Sequence, residues 1–386
     1  MKIPKKIAIT AGTLLLGLSL VGCGKSSEVA GGSNEKSNVI KIGVPAPLSG
    51  QSAKMGSDIV NAAKLAASEL NEKGGVIGKK IKIVPIDDAC DAQVATQAAN
   101  KLVTSNVDAV VGHYCSSAAL PAETVYNENG IPFITPSSSN PQLTEQGFTN
   151  VFRMIGRDDQ QGKFMADYLV NVKHKKNIAI LHDNTTYTKG LATEAKAGVE
   201  RLGGKVAFFE AVTPGEKDFS VIISKLKPLK PDAIYWTGFY AEGGLLIKQA
   251  KELGLNVLFA AGDGNNDTTL MKIAGPASEG VIVSTAPTTE FLNNTGAGDF
   301  VTKYKEAYSE DAGPFSSYTY DGVNIIAEAI KEAKSQDRKK IIDTIHGLND
   351  FQGVTGTINF DEKGDRKGIS YITTQVKDGK FVATQN

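Results

Sequence analysis

Short apolar runs alternate along this chain with longer stretches in which apolar residues recur every three or four positions. From Val39 onward "IKIGVPAPL" reads as a strand. After the loop "SGQSAKMGS", the segment 58–73 sets Ile59, Ala62, Ala63, Ala66 and Leu70 on one helical face, and Gly74 ends it. "KIKIVPIDD", "VDAVVGHY" and "PFITP" continue as strands, separated by the helices "AQVATQAANKLV" and "SAALPAETVYNE". Strand and helix alternating in this way predict a parallel sheet covered on both faces.

The pattern restarts near Asp158. "DQQGKFMADYLVNV" gathers Phe164, Met165, Tyr168, Leu169 and Val172 on one face. The strand "NIAILHD" follows, then a helix carrying Leu191, Ala195, Val199 and Leu202. "KVAFFEAV", the helix "FSVIISKL", "DAIYWTG", a helix over 242–253 and "NVLFAAG" complete a second unit. The repetition is one of architecture, not of residues, and predicts two similar lobes. After "EGVIVSTAP" come helices over 298–309 and 318–334, then "RKKIIDTIHGL" and the strands "TGTINF", "ISYITTQV" and "KFVATQ". That is too little for a third domain, so the chain is expected to return to the first two and cross between them, which makes a hinge. The expected fold class is α/β, with two doubly wound parallel-sheet lobes joined by a multi-crossing hinge. Lobe 1 comprises 39–155 plus 287–366, and lobe 2 comprises 158–284 plus 369–386.

Ahead of Val39 the pattern is different. Lys2, Lys5 and Lys6 precede an apolar stretch from Ile7 to Val21 that ends in "LVGC", the pattern of a lipoprotein signal peptide over 1–22 with lipidation at Cys23. The run 23–38 is Gly, Ser and charge with little to fill a core, and reads as a flexible tether. The expected location is extracytoplasmic, anchored to the bacterial cell membrane by lipid. The chain balances 42 basic against 42 acidic residues with no long run of either sign, which speaks against nucleic acid as a partner. Of the 3 cysteines, Cys90 and Cys115 remain for an oxidising compartment where a structural disulfide is expected, although spacing alone does not pair them.

In sheets of this kind ligands bind beyond the carboxyl ends of the strands, where loops lead into helix N-termini. In the first unit those loops are 47–56, 113–120 and 135–143; in the second they are 182–190, 237–244 and 261–267. The first set offers hydroxyls next to helix starts, suited to a carboxylate. The second offers Asp263 with the aromatics Tyr187, Phe239 and Tyr240, suited to an ammonium and an apolar side chain. A free amino acid carries all three features. Taken singly, Ser and Asp before a helix are ordinary caps, and only their joint position favours binding. A rival is a thiol hydrolase with Cys115 as nucleophile and His113 as base, since residues i and i+2 of a strand end point the same way. Metal chemistry has little support: His113, His174, His182 and His346 are scattered and no HExxH occurs. "GDGNND" lacks the context of a dinucleotide site. No cofactor is expected.

The motifs "DDACD" (87–91), "GHYCSS" (112–117), "TPSSSNPQLT" (135–144), "LHDNTTYTKGLA" (181–192), "GEKDFS" (215–220), "AEG" (241–243) and "FDEKGD" (360–365) follow one another in order. Through them the chain, from Lys41 to about Gly379, resembles the leucine/isoleucine/valine-binding proteins that feed branched-chain amino-acid ABC importers. The resemblance implies a type I periplasmic-binding-protein fold closing on one amino acid, and no enzyme. It implies ligand contacts from Ser116, Ser139 and the main chain at Ser137, then from Tyr187, Phe239 and Asp263 across the cleft. It also implies a disulfide between Cys90 and Cys115, and a monomer that delivers its ligand to a permease and its ATPase. Asp263 stands where glutamate is usual, Phe239 where tyrosine is, and Met55 where the first loop has an aromatic. The pocket is therefore expected to stay apolar with an altered shape, Tyr114 adding a wall or a hydroxyl. The alternative of another class is a free amino-acid sensor that presents its closed state to a signalling receptor.

Overall fold

The first 5 strands form one parallel sheet, in a computed structural model that describes residues 38–292 and 295–384. In chain order these are β1 (Val39–Ala46), α1 (Ala53–Glu72), β2 (Lys80–Asp87), α2 (Ala92–Thr104), β3 (Ala109–Val111), α3 (Ser116–Glu128), β4 (Phe133–Thr135), α4 (Gln142–Glu145) and β5 (Val151–Arg153). Their spatial order is β2-β1-β3-β4-β5. The central strands β3 and β4 are buried along their whole length, as strands covered by helices on both faces must be. Edge strand β2 is partly exposed.

The second unit runs α5 (Asp158–Asp167), β6 (Asn177–His182), α6 (Thr186–Arg201), β7 (Lys205–Ala211), α7 (Ser220–Leu226), β8 (Ala233–Trp236), α8 (Tyr240–Glu252), β9 (Leu258–Ala261), α9 (Thr268–Ala274) and β10 (Ile282–Thr285). There follow α10 (Thr295–Tyr308), α11 (Ser316–Ala333), α12 (Arg338–Gly347), β11 (Phe351–Gly353), β12 (Gly356–Ile358), β13 (Ile372–Lys377) and β14 (Lys380–Ala383). The second sheet has the order β14-β13-β10-β9-β8-β6-β7. Counted from its own first strand, its parallel part repeats the order of the first sheet, so each has its reversal in the same place. At one edge β13 and β14 are antiparallel, joined by Asp378 and Gly379 at φ 50° and 72°, the positive angles that a tight hairpin turn requires.

Local differences from the sequence reading have local causes. Val172, expected on the buried face, is 46 % exposed. The helix ends there in a wider π turn over Tyr168–Val172, whose extra residue rotates Val172 off the stripe. β5 and β11, three residues each, are strands that the sequence reading does not include. The leader, Cys23 and the tether up to residue 37 lie outside the described residues. Among the described residues no helix is long and apolar enough to cross a membrane.

The chain passes from the first sheet to the second after β5, returns after β10 and passes back before β13. One buried cation organises this junction. Arg153, at the end of β5 and wholly buried, donates from Nε to Asp365 Oδ1 at 2.7 Å, from Nη1 to the Asn140 carbonyl at 2.7 Å, and from Nη2 to Thr144 Oγ1 at 2.6 Å. Its own N–H donates to the Gly364 carbonyl at 2.9 Å, so "FDEKGD" runs beside β5. Arg157 joins from the crossing segment, at 3.1 Å from Asp365 Oδ2 and 2.8 Å from Glu145 Oε1. Burial acts to raise the Asp365 carboxyl, but Arg153, Arg157 and Thr144 outweigh it and hold it below the ordinary carboxylate range. Arg153→Met should leave Asp365 short of its partner and cost about 3–5 kcal/mol in urea unfolding at unchanged slope, whereas a loss of less than about 1 kcal/mol would show that the pair is dispensable.

Candidate functional site

The carboxyl ends of β3, β4, β6, β8 and β9 converge on a small, tightly closed cavity. It is lined by Tyr114, Cys115, Ser116, Ser137, Tyr187, Phe239, Asp263, Gly264 and Phe315. In both sheets this is where the strand order reverses, the place topology assigns to a ligand. Wider hollows, such as that beside Ser220, Val221, Ser224 and Lys225, lie open on the surface.

The first wall is a pair of cross-bonded loops. His113 leaves β3 at φ 45°, its ring wholly buried between Asp88 Oδ2 at 2.8 Å and the Tyr126 hydroxyl at 3.0 Å. Cys115 is bonded to Cys90, with 5.3 Å between their Cα atoms. Ser116 then opens α3 at the cavity, where the first N–H groups of a helix lack partners within it. The neighbouring loop is tied to this one: Ser137 Oγ donates to the Tyr114 carbonyl at 3.2 Å, and Asn140 N donates to Ser116 Oγ at 3.3 Å. On its far side the same loop is held by Arg153.

The opposite wall carries the charge. Tyr187, in the first turn of α6, donates from its hydroxyl to Asp263 Oδ1 at 2.7 Å. A Cβ at Gly262 would stand 2.7 Å from that hydroxyl, so only glycine lets the tyrosine approach. Asp263 Oδ2 is buried with no partner. Burial pushes the Asp263 carboxyl up to about 6, against the pull of Tyr187, Gln161 and the Gly264 N–H. Asp158, at the start of α5, is driven further, up to about 8, by burial, with Ser139 opposing and Asp263 adding to the rise.

Between the walls the aromatic rings close up. The centroid of Phe239 lies 5.5 Å from Tyr187 and 5.8 Å from Tyr114, and that of Phe315 lies 5.5 Å from Tyr114. Contacts also span the two sheets' loops: Tyr240 Oη donates to the Gln51 carbonyl at 2.7 Å, and Asn140 Nδ2 donates to the Thr186 carbonyl at 3.2 Å. The cavity therefore has a pole of hydroxyls at a helix start, a pole with an unpaired carboxylate oxygen, and an aromatic wall.

Of the residues singled out in the sequence, Tyr114, Ser116, Ser137, Tyr187, Phe239 and Asp263 line this cavity together. Ser139 and Met55 do not. Ser139 is buried behind the lining, its carbonyl accepting from Asp158 N at 3.0 Å. Met55 sits in the first turn of α1 and packs into the hydrophobic core, 1 % exposed. Phe315 was not foreseen. It arrives from the segment before α11, a stretch outside the strand-end loops, and the only trace in the sequence is a large apolar residue in "GPFSS" where a loop residue would be polar. The thiol-hydrolase reading falls on geometry: Cys115 is spent in the disulfide and His113 is engaged on both ring nitrogens. Among the described residues no cluster of His, Cys, Asp and Glu suits a metal ion.

A family model described as "Periplasmic binding protein" matches residues 39–380. The chain belongs to this family. As a periplasmic binding protein it works outside the cytoplasm, and it is not an enzyme. It is 37% identical over 372 residues to "Leu/Ile/Val-binding protein homolog 1" of Brucella suis biovar 1, covering 96% of this chain and 98% of that one. It is also 37% identical over 334 residues to the "Leucine-, isoleucine-, valine-, threonine-, and alanine-binding protein" of Pseudomonas aeruginosa, covering 86% of this chain and 89% of that one. Among solved structures, the branched-chain amino acid transporter substrate binding protein of Streptococcus pneumoniae in complex with isoleucine superposes with a TM-score of 0.84 at 30% identity, covering 89% of this chain and 98% of that one. A leucine binding protein from Thermotoga maritima gives 0.83 at 31% identity, covering 90% and 98%.

The raised Asp263 carboxyl makes a prediction about the ligand-free binding protein. With its folded value near 6, above the ordinary 3.8, the folded state takes up this proton first as pH falls. Ionised Asp263 therefore costs stability above pH 6, and the cost fades below it. Asp263→Asn should raise the stability of ligand-free protein by up to about 3 kcal/mol near pH 8 and by little near pH 4, read from thermal unfolding at both pH values. Equal effects at the two would show that the carboxyl is not strained by burial.

Proposed function

We propose that this chain is a lipid-anchored receptor, attached through Cys23, that captures a free amino acid of the branched-chain or aliphatic class and delivers it to an ABC importer. The observation that carries the reading is the buried Asp263 oxygen without a partner, held by Tyr187 across an aromatic cavity from Ser116 at the start of α3. An α-ammonium completes Asp263, an α-carboxylate meets the Ser116 hydroxyl and the main chain at Ser137, and the side chain meets Phe239 and Phe315. Ser139 supports its loop from behind the lining, and Met55 shapes the pocket only through the core. The relatives' names, which specify leucine, isoleucine and valine among their ligands, support the same class.

In this mechanism, lobe 1 (39–155 plus 287–366) loads the ligand and lobe 2 (158–284 plus 369–386) closes over it about the hinge. A ligand touching both lobes favours the closed state by the free energy of the contacts made only there. The closed, monomeric receptor then docks on the permease, whose ATPase supplies the work.

Calorimetric titration of refolded protein starting near Asn38 with the common amino acids tests this: one-to-one binding of leucine, isoleucine or valine is expected. Asp263→Ala should weaken it by about 2–5 kcal/mol, because an ammonium is left unpaired in a buried site. Undiminished affinity in that variant would remove Asp263 from the site.

A further inference from the structure

The cavity holds a second buried oxygen that the ammonium and carboxylate do not use. Tyr114 lines the cavity, is 5 % exposed, and its hydroxyl is buried with no partner. The tyrosines around it differ. The hydroxyl of Tyr187 is committed to Asp263, that of Tyr240 to the Gln51 carbonyl, and that of Tyr318 to the Pro287 carbonyl. Nor is the Tyr114 ring free to carry its hydroxyl out to water. It is clasped between Phe239 and Phe315, with centroids 5.8 Å and 5.5 Å away, and its backbone carbonyl is held by Ser137 and Ser138. Burial keeps the phenol protonated far above neutral pH, so it is a neutral donor.

We propose that Tyr114 is a specificity-determining residue whose hydroxyl bonds a hydroxyl on the ligand's side chain, so that the pocket ranks threonine above valine. The inference rests on the reading of the cavity as an amino-acid site and assigns the one corner which that reading leaves without a partner. Position argues for the side chain. Tyr114 belongs to the aromatic wall, and Asp263 is the charge that acts on it most strongly, so a ligand carboxylate placed there would be repelled. Threonine and valine have the same shape. An apolar pocket barely separates such isosteres, whereas a buried donor that finds a partner in only one of them separates them strongly.

Calorimetric titration of the wild type and of Tyr114→Phe with threonine and valine reads the ratio of the two dissociation constants. The expected preference for threonine is about tenfold or more in the wild type, falling to within about threefold in the variant. Serine against 2-aminobutyrate, another isosteric pair, should repeat the preference on the wild type without any substitution. A ratio unchanged by Tyr114→Phe overturns the proposal. So does an equal weakening of both ligands, which would put the hydroxyl on the groups all amino acids share. Silence of the folded wild type toward threonine, valine, leucine and alanine alike would overturn the amino-acid reading itself, and this inference with it.

Discussion

A guanidinium removed from water must have its N–H groups answered by protein, and in this fold that requirement falls on Arg153. Its partners come from places far apart in the chain: the loop that ends in Asn140, Thr144 in α4, and Asp365 beside the last crossing. Satisfying one buried charge thus fixes the back of the pocket's serine loop, α4 and the returning segment at Asp365 at once. The front of the same loop is fixed by hydroxyls, Ser137 and Ser138 on the carbonyls of the "GHYCSS" turn. Held from both sides, it presents Ser137 to the cavity without needing the ligand to order it.

The opposite wall follows the reverse rule. Asp263 keeps one oxygen without a partner, and Asp158 is buried close enough for the Asp263 charge to add to the rise that burial imposes on it. Such groups oppose folding, and they stay in place because Gly262, Tyr187 and the sheets behind them leave no room to turn away. One wall is thus over-supplied with hydrogen bonds and the other under-supplied. An unpaired carboxylate oxygen facing a cavity is the kind of departure from local consistency expected of a functional site.

Much of this was legible in the sequence because it is periodic. Strand and helix alternate with different periods, and that alternation dictates parallel sheets whose loops gather at one edge. Tyr114, Ser116, Ser137, Tyr187, Phe239 and Asp263 could be placed at that edge before any coordinate was known. What periodicity cannot show is a contact between distant segments. Arg153 and Asp365 lie 212 residues apart, and nothing near either announces the other. Phe315 reaches the cavity from a crossing segment that no strand-end rule covers. Met55 was set in the first loop, but α1 begins early enough to turn it into the core. Val172 fails because an added residue in a turn is invisible to a rule that assumes constant pitch.

The cavity's poles and its aromatic wall have a geometric consequence of their own. The hydroxyls at the start of α3, the free oxygen of Asp263 and the ring pair Phe239 and Phe315 occupy separate corners, each suited to a different substituent. For a zwitterion these corners settle the direction in which it lies. They also bear on its handedness: with the α-carbon held to one side of the three corners, the mirror image of an amino acid fills two of them only by taking its side chain out of the third. A cleft that distinguishes charge from grease needs only that one further constraint to distinguish left from right.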